Sequence, residues 1–413
     1  MAADPEGNRF DVAVIGAGPA GSATARALAQ RGWRVALLER TRFELPRIGE
    51  SLAPNVQQPL RELGVWPDFM ALAPLPSWGT FSLWGEATQQ SHSHLISPYG
   101  CGWHVDRRAF DRMLAQAAAA AGASLLEGRG LQRSVYLDGQ WCLQTSSSAD
   151  HAEAREQTLQ AGVLIDATGR RAQVARSQGS QRLVFDRLVG VAVRWAGADP
   201  AEHGHLLVES GREGWWYSAP LPGGVLPESA TMIAILMTDA DLCGKLHLTG
   251  AERWQAILHS TQATRQRVSG ARCLSRPLVH CAHSQRLRRD STRAAGPWLA
   301  VGDATLAVDP VSGSGVLRAL RTARAAADIV HDILTRPETA QEALAKYETE
   351  RDKECTTYLI ERAHYYATEQ RFDTPFWQRR QVLRAPLADA RDKHTGRACG
   401  HPLRTGGCGY CWG

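Results

Sequence analysis

The chain has 413 residues, 44% hydrophobic and 22% charged, which fits a folded protein and excludes a disordered one. That length exceeds one ordinary core, so two domains are expected. Net charge is only +5 and no block of like charges appears, so no nucleic-acid partner is expected. No apolar run reaches the roughly 18–20 residues that span a bilayer. Met1 to Phe10 is polar and lacks a hydrophobic signal core. The expectation is a cytoplasmic protein with no membrane contact.

Phe10 to Ile15 is a short apolar run that reads as a buried strand. Ala20 to Arg31 reads as a helix, and Arg34 to Leu38 as a second strand ending in Glu39. Together they begin a βαβ unit. Pro54 to Leu63 is predicted helical, with proline in the first turn. Trp78 to Ile96 alternates and suggests antiparallel strands. Arg107 to Ala121 is a helix. Leu131 to Gln144 suggests a hairpin that turns at Asp138-Gly139. Ser146 to Glu156 is a polar loop, and Val163 to Ile165 a buried strand.

Leu183 to Thr238 is strand-like, broken around Pro220-Leu221-Pro222-Gly223-Gly224. Trp298 to Val301 is again a short strand. Gly315 to Leu334 is a helix with Val316, Leu320, Ala327, Val330 and Ile333 near one face. Glu342 to Tyr366 continues helical, and less regular structure is expected beyond Pro375. The parallel-type pieces lie at the start, near 163 and near 300. The predicted fold is therefore α/β, with a Rossmann-like dinucleotide domain of mixed or parallel sheet and a helical layer. That domain is expected over 1–77, 100–180 and 285–340. An inserted antiparallel β-sheet substrate domain is expected over 78–99 and 181–284. A C-terminal helical region and a Cys/Gly-rich tail fill 341–413.

Gly16-Ala17-Gly18-Pro19-Ala20-Gly21 is G-x-G-x-x-G, placed after a strand and opening a helix. Gly16 permits a tight turn, Gly18 lets backbone approach a pyrophosphate, and Gly21 lets helix and strand pack closely. The helix start then offers unpaired N–H groups to phosphate. Glu39 ends the second strand, where a carboxylate binds a ribose hydroxyl, and Arg40 follows it. Asp303 ends another short strand and suits a ribose or ribitol hydroxyl. Gly313 and Gly315 open a long helix whose positive end would stabilise a negatively charged ring edge.

Four segments carry a family resemblance: the glycine motif with Glu39; Gly49-Glu50-Ser51; Asp166-Ala167-Thr168-Gly169; and Val301-Gly302-Asp303-Ala304 with Asp309-Pro310 and Gly313-Ser314-Gly315. Over about residues 10 to 335 the chain resembles the flavoprotein monooxygenase superfamily, in the branch of flavin-dependent halogenases and related hydroxylases. The resemblance implies FAD as cofactor. It assigns to FAD Gly16, Gly18, Pro19, Ala20, Gly21, Glu39, Arg40, Gly49, Ser51, Asp166, Gly169, Gly302, Asp303, Pro310, Gly313, Ser314 and Gly315. Arg107 resembles an arginine that reaches FAD phosphate or ribose, a contact its planar fork suits.

Halogenases of this branch use a lysine downstream of the G-E-S/A segment. This chain has four lysines and none before Lys245. The halogenase W-x-W-x-I-P segment is also altered, to Trp215-Trp216-Tyr217-Ser218-Ala219-Pro220. Halogenation is therefore disfavoured. The chemistry that remains is oxygenation of an electron-rich aromatic ring by a flavin C4a-hydroperoxide. O2 is the implied co-substrate, and Glu50 and His104 are the candidate proton-handling residues.

Narrower segments, Gly49-Glu50-Ser51-Leu52, Ser82-Leu83-Trp84-Gly85 and the run Ser97 to Arg107, resemble the flavoproteins that mature cysteine tryptophylquinone enzymes. That resemblance implies a protein substrate bearing the target tryptophan. A free small aromatic metabolite is the alternative. A geranylgeranyl-type reductase and a non-catalytic flavin-binding partner are the remaining readings. No second G-x-G-x-x-G unit is visible, so electrons are expected from transiently bound NAD(P)H or a separate flavin reductase. In the tail, Cys399-x-His401 and Cys408-x-x-Cys411 make a possible four-ligand zinc set, but the six-residue gap between the pairs is short for a zinc ribbon, so a flexible or docking tail is expected and no metal. Arginines between Arg362 and Arg404 form either a solvated face or a dock for an acidic partner.

Overall fold

The structure is a computed structural model that describes residues 8–147, 157–197, 204–222, 230–290 and 295–381. The polar loop after Ser147, the glycines after Pro222 and the Cys/His tail lie outside the described residues. Among those described, no helix is long and apolar enough to cross a membrane.

The fold is mixed α/β. Its principal sheet has seven strands. Arg9–Ile15 lies at its centre, parallel to Val35–Glu39 on one side and Gln157–Asp166 on the other. Ser124–Glu127 extends the sheet beyond Val35–Glu39, and Trp298–Ala300 pairs with the end of Gln157–Asp166, both in parallel. Arg129–Leu137 and Gln140–Ser147 close the other edge as an antiparallel meander. Their turn is the expected one: Asp138 and Gly139 both adopt positive φ, 48° and 76°, as a two-residue type I′ connection requires.

Alternation along Arg9–Ile15 divides the core between two faces. Val12 and Val14 pack under helices Pro19–Ala29 and Gly315–Thr335, with Leu28, Leu37, Ala326 and Val330. Ala13 and Ile15 pack on the opposite face with Trp141, Leu164 and Trp298. The Gly315–Thr335 helix buries the predicted Leu320, Ala327, Val330 and Ile333. Pro54 to Leu63 forms a 3-10 turn, Pro54–Val56, followed by a short helix, Gln57–Glu62.

A second, eight-stranded sheet holds Leu188–Ala196, Thr231–Asp239, Gly214–Leu221 and His205–Gly211 as antiparallel neighbours. Gly79–Leu83 joins it parallel to His205–Gly211, which departs from the all-antiparallel expectation. The long intervening chain makes that crossover possible.

The C-terminal segment differs from expectation too. Beyond the long helix Ala340–Ala367, residues Pro375–Gln381 form a further helix. Phe376 and Trp377 are fully buried. Arg380 bonds buried Asp239 at 2.6 Å, and Arg379 bonds it at 2.7 Å. These contacts order a stretch whose arginine content suggested irregularity.

One buried chain of polar contacts ties this C-terminal region to the rest. Trp215 Nε1 donates to the Tyr366 hydroxyl at 2.9 Å, and that hydroxyl donates to Asp309 Oδ2 at 2.8 Å. Tyr358 OH accepts from the Asp309 amide at 2.8 Å. Tyr366→Phe would strand both a buried indole N–H and a buried carboxylate oxygen. The expected loss is about 1–3 kcal/mol of stability, read as a lower urea midpoint at unchanged slope; an unchanged midpoint contradicts the network.

Candidate active site

The first strand ends at Ile15 and the chain turns at Gly16, with φ +107°. A Cβ on Gly16 would stand 2.4 Å from the Ala167 carbonyl oxygen, and one on Gly21 would stand 1.9 Å from the Gly16 oxygen. Both glycines are demanded by close packing of protein on protein. Gly18 differs, because a Cβ there would meet nothing within 4 Å. It opens onto a cavity of about 900 Å³ that Gly16, Pro19 and Ala20 also line, within the size range of ligand sites. Helix Pro19–Ala29 starts at this point with no side chain capping its first N–H groups. Its positive end is therefore available to an anion.

Glu39, Arg40, Gly49, Ser51 and Arg107 line the cavity next to this cradle. Buried Glu39 accepts from the Ala17 amide at 3.1 Å and from the Thr41 hydroxyl at 2.7 Å. Arg107 donates to the Ile48 carbonyl at 2.9 Å and to Asp111 at 3.1 Å. It thereby fixes the turn at Gly49, whose φ of +103° puts a would-be Cβ 2.5 Å from the guanidinium. Arg47 bonds the same Asp111 at 2.7 Å. Arg47 and Asp111 were not foreseen as site residues; nothing in local spacing marks them.

At the other end, Gly169, Asp303, Pro310, Gly313 and Gly315 line the cavity. The Gly315–Thr335 helix also begins without a side-chain cap. Asp303 stands 3.4 Å from Arg170, which also donates to the Val308 carbonyl at 2.8 Å. Asp166 is set behind the wall. Its fully buried carboxylate accepts from the Thr168 hydroxyl at 2.7 Å and the Ala175 amide at 2.8 Å. Burial pushes that carboxyl up, against those hydrogen bonds. Asp166 thus shapes the turn whose Ala167, Thr168 and Gly169 meet the cavity. Gly21, Gly302 and Ser314 also stand behind the lining. A Cβ on Gly302 would fall 2.8 Å from that of Ala20, so its role is helix packing. Ser314 bonds the Ser312 hydroxyl at 3.0 Å.

The two candidate proton-handling residues are both buried just behind the wall. His104 Nδ1 lies 2.9 Å from Ser51 Oγ, so it reaches the cavity through Ser51. Glu50 Oε2 accepts from the Gly49 amide at 2.9 Å and from the Tyr217 phenol. Its Oε1 has no hydrogen-bond partner among the described residues. Burial pushes the Glu50 carboxyl up, partly offset by the Tyr217 bond. Burial and the adjoining Glu50 charge push the Tyr217 phenol well up. Tyr217 lines the cavity with Trp215, Ile235 and Met237. The sequence marks Tyr217 as a departure from the halogenase segment but not as the partner of Glu50.

A family model for an FAD binding domain matches residues 9–361. The chain belongs to this FAD binding domain family. It is an FAD-dependent enzyme of the oxidoreductase and monooxygenase type. LodB of Marinomonas mediterranea, named as an FAD-dependent oxidoreductase, is 30% identical over 91% of this chain and 98% of its own length. A tryptophan 2-halogenase of Chondromyces crocatus is 27% identical over 91% of this chain and 71% of its own. Among solved structures, the peptidyl tryptophan dihydroxylase QhpG, essential for tryptophylquinone cofactor biogenesis, superposes with TM-score 0.65. It is 25% identical and covers 92% of this chain and 80% of its own.

The residues fit FAD, since the open backbone at Gly18 and two uncapped helix starts share one cavity. Gly18→Val places its side chain in open space, so the protein should fold with near-normal melting and take up no flavin. Gly21→Val should fail to fold, its Cβ colliding with backbone. Flavin absorbance after gel filtration, with thermal melts, separates the two; a yellow Gly18→Val protein contradicts the cradle.

Glu50 also carries a pH signature. Because its folded carboxyl is raised, its stabilising contribution is present below the ordinary carboxylate range and is lost as pH rises through the folded value. Glu50→Gln removes that titration. Urea unfolding should show the variant gaining on the wild type as pH rises above the ordinary carboxylate range, by roughly 1.4 kcal/mol for each tenfold gain in proton affinity on folding; a constant difference contradicts the raised carboxyl.

Proposed function

We propose that the protein is an FAD-dependent monooxygenase that hydroxylates a tryptophan side chain in a protein substrate during tryptophylquinone cofactor biogenesis. The observation that carries this reading is the part of the cavity wall supplied by the second sheet. Trp215, Tyr217, Ile235 and Met237 make it apolar and aromatic, and no lysine lines the cavity among the described residues. Similarity to QhpG supports tryptophan as the target. The 27% identity to a tryptophan 2-halogenase favours halogenation as a second reading, and the lysine-free wall stands against it.

In this reading Gly16 to Ala20 hold the pyrophosphate at the helix start. Glu39 and Asp303 hold ribose and ribitol hydroxyls, and Arg107 keeps the Gly49 turn in place. Backbone at Pro310, Gly313 and Gly315 meets the ring edge. Reduced FAD with O2 supplies the activated oxygen; NAD(P)H or a separate flavin reductase supplies the electrons. The apolar wall excludes water and holds the indole. Tyr217 lines the cavity, and Glu50, which accepts from its hydroxyl, takes up the proton that the hydroxylated ring carbon releases. His104 holds the Ser51 hydroxyl in position.

The test is intact mass. Purified enzyme, a flavin reductant, O2 and chloride are incubated with the tryptophan-bearing precursor encoded nearest the gene. A gain of one or two oxygen atoms on the precursor is expected, slowed in Glu50→Gln at unchanged flavin content. A chlorine mass instead overturns hydroxylation. Oxygen consumption without a change in precursor mass transfers the reading to a free small aromatic substrate.

A further inference from the structure

Strand Leu278–Cys281 brings an exposed thiol to the cavity wall. Cys281 Sγ lies 2.9 Å from His283 Nδ1, and His283 Nε2 lies 2.8 Å from Gln285 Oε1. The Gln285 amide is oriented, because its nitrogen donates to the Arg170 carbonyl at 2.9 Å. Its oxygen therefore faces the imidazole and holds the ring toward the sulfur. This is the nucleophile, base and orienting-group arrangement that activates a weak nucleophile. Two cations stand around it. Arg170 donates to the His283 carbonyl, while Arg182, 2.9 Å from His283 Nε2, opposes positive charge on the ring.

Burial would raise the Cys281 thiol, but the His283 hydrogen bond and charge outweigh it and leave it below its ordinary value. The Cys281 bond in turn raises His283. A sulfur hydrogen-bonded to an imidazole, near a guanidinium and open to solvent, is what sets a reactive cysteine apart from a buried inert one. Nothing in the flavin chemistry above uses this pair.

We propose that Cys281 is a redox-modification site, oxidised by hydrogen peroxide to a sulfenic acid and then captured by a small thiol as a mixed disulfide. The thiolate sulfur attacks one peroxide oxygen; the S–O bond forms as the O–O bond breaks. The departing hydroxide takes the proton of the His283 imidazolium and leaves as water. Sulfur loses two electrons and peroxide gains them. A thiol such as glutathione then forms the S–S bond, and a second water carries off the sulfenic oxygen. The adduct stands on the wall of the flavin cavity. The proposal is independent of the substrate reading, because peroxide is supplied from outside in its test.

The test uses the full-length protein with its own internal comparison. Cys273 is also exposed, and its sulfur contacts only the Ser275 carbonyl, at 3.2 Å, among the described residues. Protein at pH 7 receives hydrogen peroxide with dimedone, and peptide masses report the adduct at each cysteine. Cys281 should be labelled at least about tenfold faster than Cys273, because an imidazole contacts its sulfur. His283→Gln should lower the Cys281 rate by a similar factor and leave Cys273 unchanged. Replacing dimedone by glutathione should give a mixed disulfide at Cys281. Equal rates at the two cysteines, or a Cys281 rate unchanged in His283→Gln, overturns the proposal.

Discussion

The site depends on one steric constraint: three pieces of backbone meet with no room for a Cβ between them. The turn at Gly16, the helix at Gly21 and the exit of the neighbouring strand at Ala167 touch directly. Gly302 adds a fourth close approach, against Ala20. The contact aims the first helix across the ends of the parallel strands. That alignment brings its uncapped start to the same cavity as the start of the Gly315–Thr335 helix. Two helix dipoles then address one ligand. A side chain at any of the packed glycines would tilt that geometry before any ligand contact was lost.

Buried carboxylates fix the loops around this frame. Asp166 folds the turn from Thr168 to Ala175, Asp111 joins Arg47 to Arg107, and Glu39 closes on Ala17 and Thr41. Asp309 is held by Tyr366 and by Val311. Burial raises the carboxyls of Asp166 and Asp309, as it does that of Glu50. Glu50 is distinct in keeping one oxygen without a partner among the described residues. A carboxylate whose oxygens are both bonded serves as scaffold; one with an open oxygen has capacity to hold a proton. Among these buried carboxylates the difference lies in bond inventory, not in residue type.

Much of the nucleotide-binding half was legible because its requirements are local. Glycine spacing, a terminal acid and short apolar runs each state a backbone need within a few residues; Gly16 and Gly21 sit in the close packing expected of them, and Gly18 faces the cavity. Asp166, Gly302 and His104 show the limit of that reasoning. Sequence places them in the right segments, yet each acts through a neighbour: Thr168, Ala20 and Ser51. Tyr217 with Glu50, and Tyr366 with Asp309, were illegible because the partners are separated by 167 and 57 residues. No periodicity encodes such pairs. The C-terminal helix Pro375–Gln381 was missed because its order comes from buried Phe376 and Trp377, not from helix propensity.

The Trp215–Tyr366–Asp309 chain has a consequence for how the protein is made. A polypeptide emerges from the ribosome amino end first, at about 5–20 residues per second, and its early parts begin to fold at once. Here the glycine motif emerges within the first few dozen residues, but the Ala167 and Gly302 contacts that pack it come later. The wall supplied by the second sheet is braced only when Tyr366 reaches Asp309 and Trp215. A nascent chain therefore presents an apolar half-site, Trp215 and Met237 included, with nothing yet behind it. A chain ending before Tyr366 would lack the hydroxyl that joins Trp215 to Asp309.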